Sequence, residues 1–231
     1  MAYEMEQTDF GFLTPKKPRK KRRGRPPIKH RRASERHKRR AVLPAKTPVL
    51  VTMRAEKSLG QLRRRKIYQA IRKAMMQAFA KAKIRIVHLS IQRDHLHAIV
   101  EANGRSDLAR GIQGFQVSAA RHINRACGRE GRVFADRYHA DQLRKPKMVR
   151  NAIAYVLNNW RKHGEDRGSI MSIDPYASAV NFAQWKVNPR VVPLDEPLTV
   201  SLPTFWLLTV GWTRHGLIDP DEVPARSRLR I

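Results

Sequence analysis

The period of the apolar residues changes along the chain, and each change marks an element. Pro48, Val49, Leu50, Val51, Thr52 and Met53 are short, apolar and partly β-branched, which predicts a strand over 48–53. From 58 to 82 the spacing becomes helical. Ile67, Ile71, Ala74, Met75 and Ala78 form one stripe, with Lys and Arg on the remaining face. Residues 84–91 return to a strand pattern, Gln92, Arg93 and Asp94 turn the chain, and a third strand runs from about 95 to 101. Helical spacing resumes over 106–126 on Leu108, Ile112, Phe115, Ala119 and Ile123. Ser106 stands where an N-cap belongs, and Gly111 and Gly114 weaken this helix slightly. A fourth strand is predicted over 138–143. Pro146 then opens a third helix that reaches about His163 and ends at Gly164.

The resulting order is β-α-β-β-α-β-α. The first six elements predict an α+β domain of the ferredoxin-like split βαβ kind, an antiparallel sheet with helices on one face, and the seventh is an extra C-terminal helix. Register in the central hairpin follows from its hydrophobicity. A two-residue turn at Arg93 and Asp94 pairs Ile91 with Leu96, Leu89 with Ala98 and Val87 with Val100, giving one continuous apolar face. The other face then carries His97 opposite Ser90, His95 opposite Gln92, and His88 across from Ile99. It reads as the polar side, away from the helices.

Charge narrows the class of partner. The 231 residues carry 48 Lys and Arg against 19 Asp and Glu, a net charge of +29. That excess predicts a polyanion, most simply nucleic acid, bound in a salt-dependent way. No apolar run approaches the roughly 20 residues of a membrane span, and no signal-peptide core is present. Cys127 is the only cysteine, which excludes an intrachain disulfide and a thiolate zinc site. A cytoplasmic, nucleoid-associated location is expected. Residues 1–46 form a basic arm, densest over 16–40, with almost nothing to bury; it is expected to be disordered. Inside it Arg23, Gly24, Arg25 and Pro26 resemble the core of an AT-hook, slim and cationic enough for the minor groove of A·T-rich DNA. A nonspecific basic tail is the alternative. The folded domain is placed at 47–164. Residues 165–231 form a proline-rich tail whose Tyr176, Phe182, Trp185, Phe205, Trp206 and Trp212 predict partial docking on the domain. Arg110, Arg121 and Arg125 lie off the apolar stripe of the second helix, and Arg132 lies in a Gly-rich basic loop; all four are candidate DNA contacts.

The chemistry begins with His95 and His97. Alternate residues of a strand share a face, so the two imidazoles project together, as half of a metal site. On the third helix Val149, Ile153, Val156 and Trp160 form the inward stripe. Asn151, Tyr155, Asn159 and His163 step by four along another face. A phenol with a pKa near about 10 is a poor nucleophile. It becomes useful when a divalent ion polarises its target phosphate. Tyr138 is a rival nucleophile, and either tyrosine alone could simply pack.

With these residues in view, the chain resembles the HUH single-tyrosine transposases of the IS200/IS605 superfamily, and within them the REP-associated tyrosine transposases. His95, Leu96 and His97 match the histidine–hydrophobe–histidine motif. Residues 131–138 resemble the family's Gly-x-(aromatic)-x-x-Arg-Tyr approach to the last strand, with one more residue between Gly131 and Phe134. Residues 151–164 match the catalytic helix, and 174–179 resemble the segment that follows it. The likeness covers about residues 47–185. It implies that His95, His97 and Asn159 bind Mg²⁺ or Mn²⁺. It implies that Tyr155 attacks single-stranded, hairpin-bearing DNA to leave a 5′-phosphotyrosine and a free 3′-OH. It also implies a monomer, or a homodimer that exchanges the tyrosine helix. Trp160 stands where the family has proline after the Asn, so the end of the helix is expected to differ. Two other readings stay open: a domesticated relative that binds hairpin DNA without cutting it, and a basic architectural protein that binds through its arm.

Overall fold

The computed structural model describes residues 42–81, 84–167, 169, 172–191 and 196–224. Strands β1 (Val49–Arg54), β2 (Ile84–Ile91), β3 (His95–Ala102) and β4 (His139–Gln142) form one antiparallel sheet in the order β2-β3-β1-β4. Helices α1 (Arg65–Lys81) and α2 (Arg105–Cys127) connect them, and α3 (Pro146–Lys162) follows β4. This is the α+β split βαβ arrangement with its added helix.

The sheet separates two apolar clusters. Val49, Val51 and Met53 of β1 pack with Ile67, Ile71 and Met75 of α1 and with Ile112 and Phe115 of α2. Leu50 and Ile99 point the other way and pack with Val149, Ile153, Val156 and Leu157 of α3. The side chain of Ala78 lies outside the described residues. The face carrying the histidines is therefore not an open polar face, as the alternation suggests; α3 and the tail cover it. The reason is that Leu50, Val87 and Ile99 interrupt its polar positions. α3 is buried almost all round: besides its inward stripe, Ala152, Ala154, Asn158 and Asn159 are enclosed.

Three local differences from the sequence pattern have simple causes. First, the hairpin register is as expected from Ile91↔Leu96 to His88↔Ile99, then shifts, so that Ile86 and not Val87 faces Val100. The bulge sends both Val87 and His88 toward the α3 side. Second, residues 57–59 form an isolated 3₁₀ turn closed by Gly60 at φ 70°, and α1 begins only at Arg65. Third, α2 begins at Arg105, so Ser106 lies inside the first turn, which has no side-chain cap.

Gly111 and Gly114 differ in role. A Cβ at Gly111 would stand 2.6 Å from three side-chain atoms of Ile84, whereas one at Gly114 meets nothing within 4 Å. Gly111 allows α2 to approach β2. Gly111→Ala is expected to cost about 1–3 kcal/mol. Gly114→Ala is expected to stabilise by about 0.5–1 kcal/mol. Urea unfolding of both variants checks the pair, and equal effects of the same sign would refute it.

The tail docks through buried polar anchors. Glu101, 1% exposed, accepts hydrogen bonds from Thr204 N and Oγ1 and from Phe205 N, which opens the short helix α4 (Trp206–Thr209). Arg63 grips Asp174 with two hydrogen bonds of 2.9 Å and also donates to Ile91 O at 3.0 Å. This ties the segment after α3 to the start of the histidine hairpin. Burial raises the Asp174 pKa, and the Arg63 pair opposes that shift. Along α3, Asn158 donates to the carbonyls of Asp219 and Glu222. Arg150 pairs with Glu222, and Arg161 with Asp166 and Asp221. Trp212 is fully enclosed, 5.8 Å from Phe182.

His88 carries a pH dependence. It is buried against Phe182 with no partner for Nδ1 among the described residues, and burial lowers its pKa from 6.5 to about 4. Between those values the unfolded chain binds a proton that the folded chain refuses, so stability falls as pH falls through this window. The loss reaches about 3 kcal/mol by the lower end. Replacing His88 with Asn should make the drop between pH 7 and pH 5 smaller by about 2 kcal/mol in urea unfolding. An unchanged drop would count against this account.

Candidate active site

β3 places His95 and His97 on the face that α3 covers, and α3 brings Tyr155 over them. The two Nε2 atoms are 2.8 Å apart. The Tyr155 hydroxyl lies 3.1 Å from His97 Nε2, and the rings of Tyr155 and His97 meet edge to face at 4.8 Å. The outer nitrogens are also held. His95 Nδ1 is 2.6 Å from Asp94 Oδ1, and His97 Nδ1 is 3.0 Å from Thr52 Oγ1. Thr52 is directly opposite His97 in the β1–β3 ladder.

The electrostatics keep the pair neutral. Burial is the largest cause that lowers the His97 pKa well below its ordinary value, helped by the charges of His95, His163 and Lys162. Burial also lowers His95, against the opposing pull of Asp94. The hydrogen bond to His95 is the largest cause that lowers Asp94, which is therefore a carboxylate at neutral pH. Burial raises the Tyr155 phenol, and the Asn159 side chain pulls it back down. The Lys162 ammonium stands 5.3 Å from the centre of the Tyr155 ring.

Asn159 is fully buried, and neither side-chain polar atom has a partner of normal hydrogen-bond geometry among the described residues. An orphaned amide one helical turn from Tyr155 is costly to keep, by about 1–3 kcal/mol. Two converging imidazole nitrogens and an unsatisfied amide are a donor set that fits a divalent ion. Ring nitrogens at right angles on one ion, about 2.1 Å away, stand about 3.0 Å apart, so the rings need open only slightly. Among the described residues no cluster of three or more His, Cys, Asp or Glu could hold a metal. A site here therefore depends on the amide or on oxygens from substrate.

The other sequence-derived residues are placed elsewhere. Arg110, Arg121 and Arg125 are exposed on α2, in the layer on the opposite side of the sheet from Tyr155. None has a side-chain ion pair among the described residues. Arg132 turns back onto its own loop, bonding to the carbonyls of Phe134 and Ala135 and pairing with Glu56 at 3.5 Å. Arg23, Gly24, Arg25 and Pro26 lie outside the described residues. Tyr138 is buried in the cluster on the α1–α2 side, away from the histidine pair. Asn151 is exposed, and the His163 ring lies 6.5 Å from that of His95. Thr52 and Asp94 were not singled out from sequence. The one available signal was a polar residue in the middle of an otherwise apolar strand, but only the strand order puts Thr52 beside His97.

No described helix is long and apolar enough to cross a membrane. Among solved structures, the chain is similar to a REP-associated tyrosine transposase bound to a REP hairpin. Identity is 20% and the TM-score 0.46, over 55% of this chain and 74% of that one. No curated protein sequence matches. The family described as "Transposase IS200 like" matches residues 49–159. That stretch runs from the first residue of β1 to Asn159, and so contains the whole sheet, the histidine pair and Tyr155. Over residues 49–159 the chain is therefore similar to the IS200-like transposases.

Proposed function

We propose that this domain cuts and rejoins single-stranded, hairpin-bearing DNA through a covalent bond to Tyr155. The observation that carries the reading is the Tyr155 hydroxyl 3.1 Å from His97 Nε2, itself 2.8 Å from His95 Nε2. His95, His97 and Asn159 would hold Mg²⁺ or Mn²⁺, which when bound polarises the scissile phosphate. Burial keeps the phenol protonated at rest. Lys162, close above the ring, favours the phenolate as negative charge develops. The ring is half-buried, so its proton can leave Oη to water. Tyr155 Oη then bonds to phosphorus, the bond from phosphorus to the 3′-oxygen breaks, and that oxygen takes a proton from water. The products are a 5′-phosphotyrosine and a free 3′-OH. One phosphodiester replaces another, so no nucleotide cofactor is required, and a 3′-OH can reverse the step with release of Tyr155. The large net positive charge supports binding to the DNA backbone.

The test incubates the full chain with hairpin-bearing single-stranded DNA and Mn²⁺, then reads a covalent adduct on a denaturing gel. The adduct is expected with the ion and absent with excess EDTA, while part of the DNA affinity survives EDTA. Hairpin binding without an adduct, across a panel of hairpins, would make this a binding relative. Loss of nearly all affinity on deletion of residues 1–46 would make the arm the binding element.

A further inference from the structure

We propose that Thr52 is a positioning residue that lets His97 exchange one ring tautomer for the other, and that Asp94 locks the tautomer of His95. The proposal deepens the reading of His95 and His97 as cation ligands and rests on it. It follows from the hydrogen positions that three contacts permit. Asp94 can only accept, so His95 Nδ1, at 2.6 Å, must carry a hydrogen. A neutral His95 then presents a lone pair at Nε2. The 2.8 Å contact between the two Nε2 atoms needs one hydrogen, and only His97 can supply it. A neutral His97 with Nε2–H has a lone pair at Nδ1, 3.0 Å from Thr52 Oγ1, so Thr52 donates there.

A cation needs both Nε2 lone pairs. His95 is already in the required tautomer, because Asp94 holds its hydrogen on the far side of the ring. His97 is not, and must move its hydrogen from Nε2 to Nδ1. A carboxylate opposite Nδ1 would lock one tautomer, and an apolar side chain would serve neither. A hydroxyl serves both, since it donates to the lone pair in one state and accepts from N–H in the other. His97 is 4% exposed, so water is a poor substitute for this partner. The β1–β3 register keeps Thr52 opposite His97 through the exchange.

Thr52→Val removes the hydroxyl at nearly constant volume on a strand that favours β-branching, and Thr52→Ser keeps it. Two measurements on the full chain read the effect: ring ¹⁵N spectra with labelled histidine, and Mg²⁺ titration by calorimetry. In the metal-free wild type, His97 should show protonated Nε2 and hydrogen-bonded, unprotonated Nδ1, and Mg²⁺ should reverse the two. Thr52→Val should move the Nδ1 signal to that of an unbonded nitrogen and weaken Mg²⁺ binding by about 10–100-fold. Thr52→Ser should restore both. A Thr52→Val protein with the wild-type ring signals and Mg²⁺ affinity would overturn the proposal. If the wild type binds no Mg²⁺, the ligand reading fails. The metal-free spectra still decide whether Thr52 sets the tautomer of His97.

Discussion

Tyr155→Phe will abolish the covalent DNA adduct while leaving hairpin affinity within about twofold. Removing an activated nucleophile typically costs on the order of 10⁴-fold or more in rate, which takes adduct formation below detection. The change deletes one oxygen. The Phe ring still fills the space between His97, at 4.8 Å, and Lys162, at 5.3 Å, so the packing of α3 is kept. One hydrogen bond to His97 is lost, worth about 1 kcal/mol at most in a half-buried setting. Loss of activity is therefore not explained by unfolding, and a thermal melt of the variant separates the two. An adduct that survives would move the nucleophile elsewhere and sink the assignment. Tyr138 is a poor refuge for it, because that ring is buried on the other side of the sheet.

The second large effect is structural. Trp212→Ala should cost about 3–5 kcal/mol, the range for deleting a fully buried indole. Trp212 is 0% exposed, lies 5.8 Å from Phe182, and donates from Nε1 to Leu208 O at 3.1 Å. It belongs to the cluster that holds α3 against Leu50 and Ile99. A domain of this size has about 5–15 kcal/mol in total, so the variant would lose a large part of its margin. Tyr155 rides on α3, so the site should loosen with it. Trp212→Phe, which keeps most of the apolar area, should recover more than half of the loss. Chemical unfolding of the two variants is the measurement. A cost below about 1 kcal/mol for Trp212→Ala would mean that the tail is not an integral layer of the fold.

The tail was the least legible part of the chain. Prolines divide much of it, and its helices are too short, as in α4, for a period to be read over 165–231. Its anchoring is done instead by single polar contacts to distant residues. Glu101 holds Thr204 and Phe205, Asn158 holds the carbonyls of Asp219 and Glu222, and Arg63 holds Asp174. A contact of that kind leaves no trace in local pattern, because each partner alone looks like an ordinary surface residue. The covered histidine face was missed for a related reason. Alternation told which side chains share a face but not what would come to lie on it.

What the sequence determined by itself is local and periodic. The strand pattern of 84–91 and 95–101, with its two-residue turn, puts His95 and His97 on one side. The four-residue step of α3 puts Tyr155 and Asn159 on one stretch of helix. Those facts follow from repeats of 2 and 3.6 residues, which any single strand or helix must obey. Only the tertiary structure decided that Tyr155 reaches His97 at 3.1 Å, that Thr52 stands behind the ring, and that Asn159 is fully buried beside Tyr155. Each depends on the order of strands in the sheet and on which face α3 chooses. Both are settled by the summed burial of many distant side chains and not by any short stretch of chain.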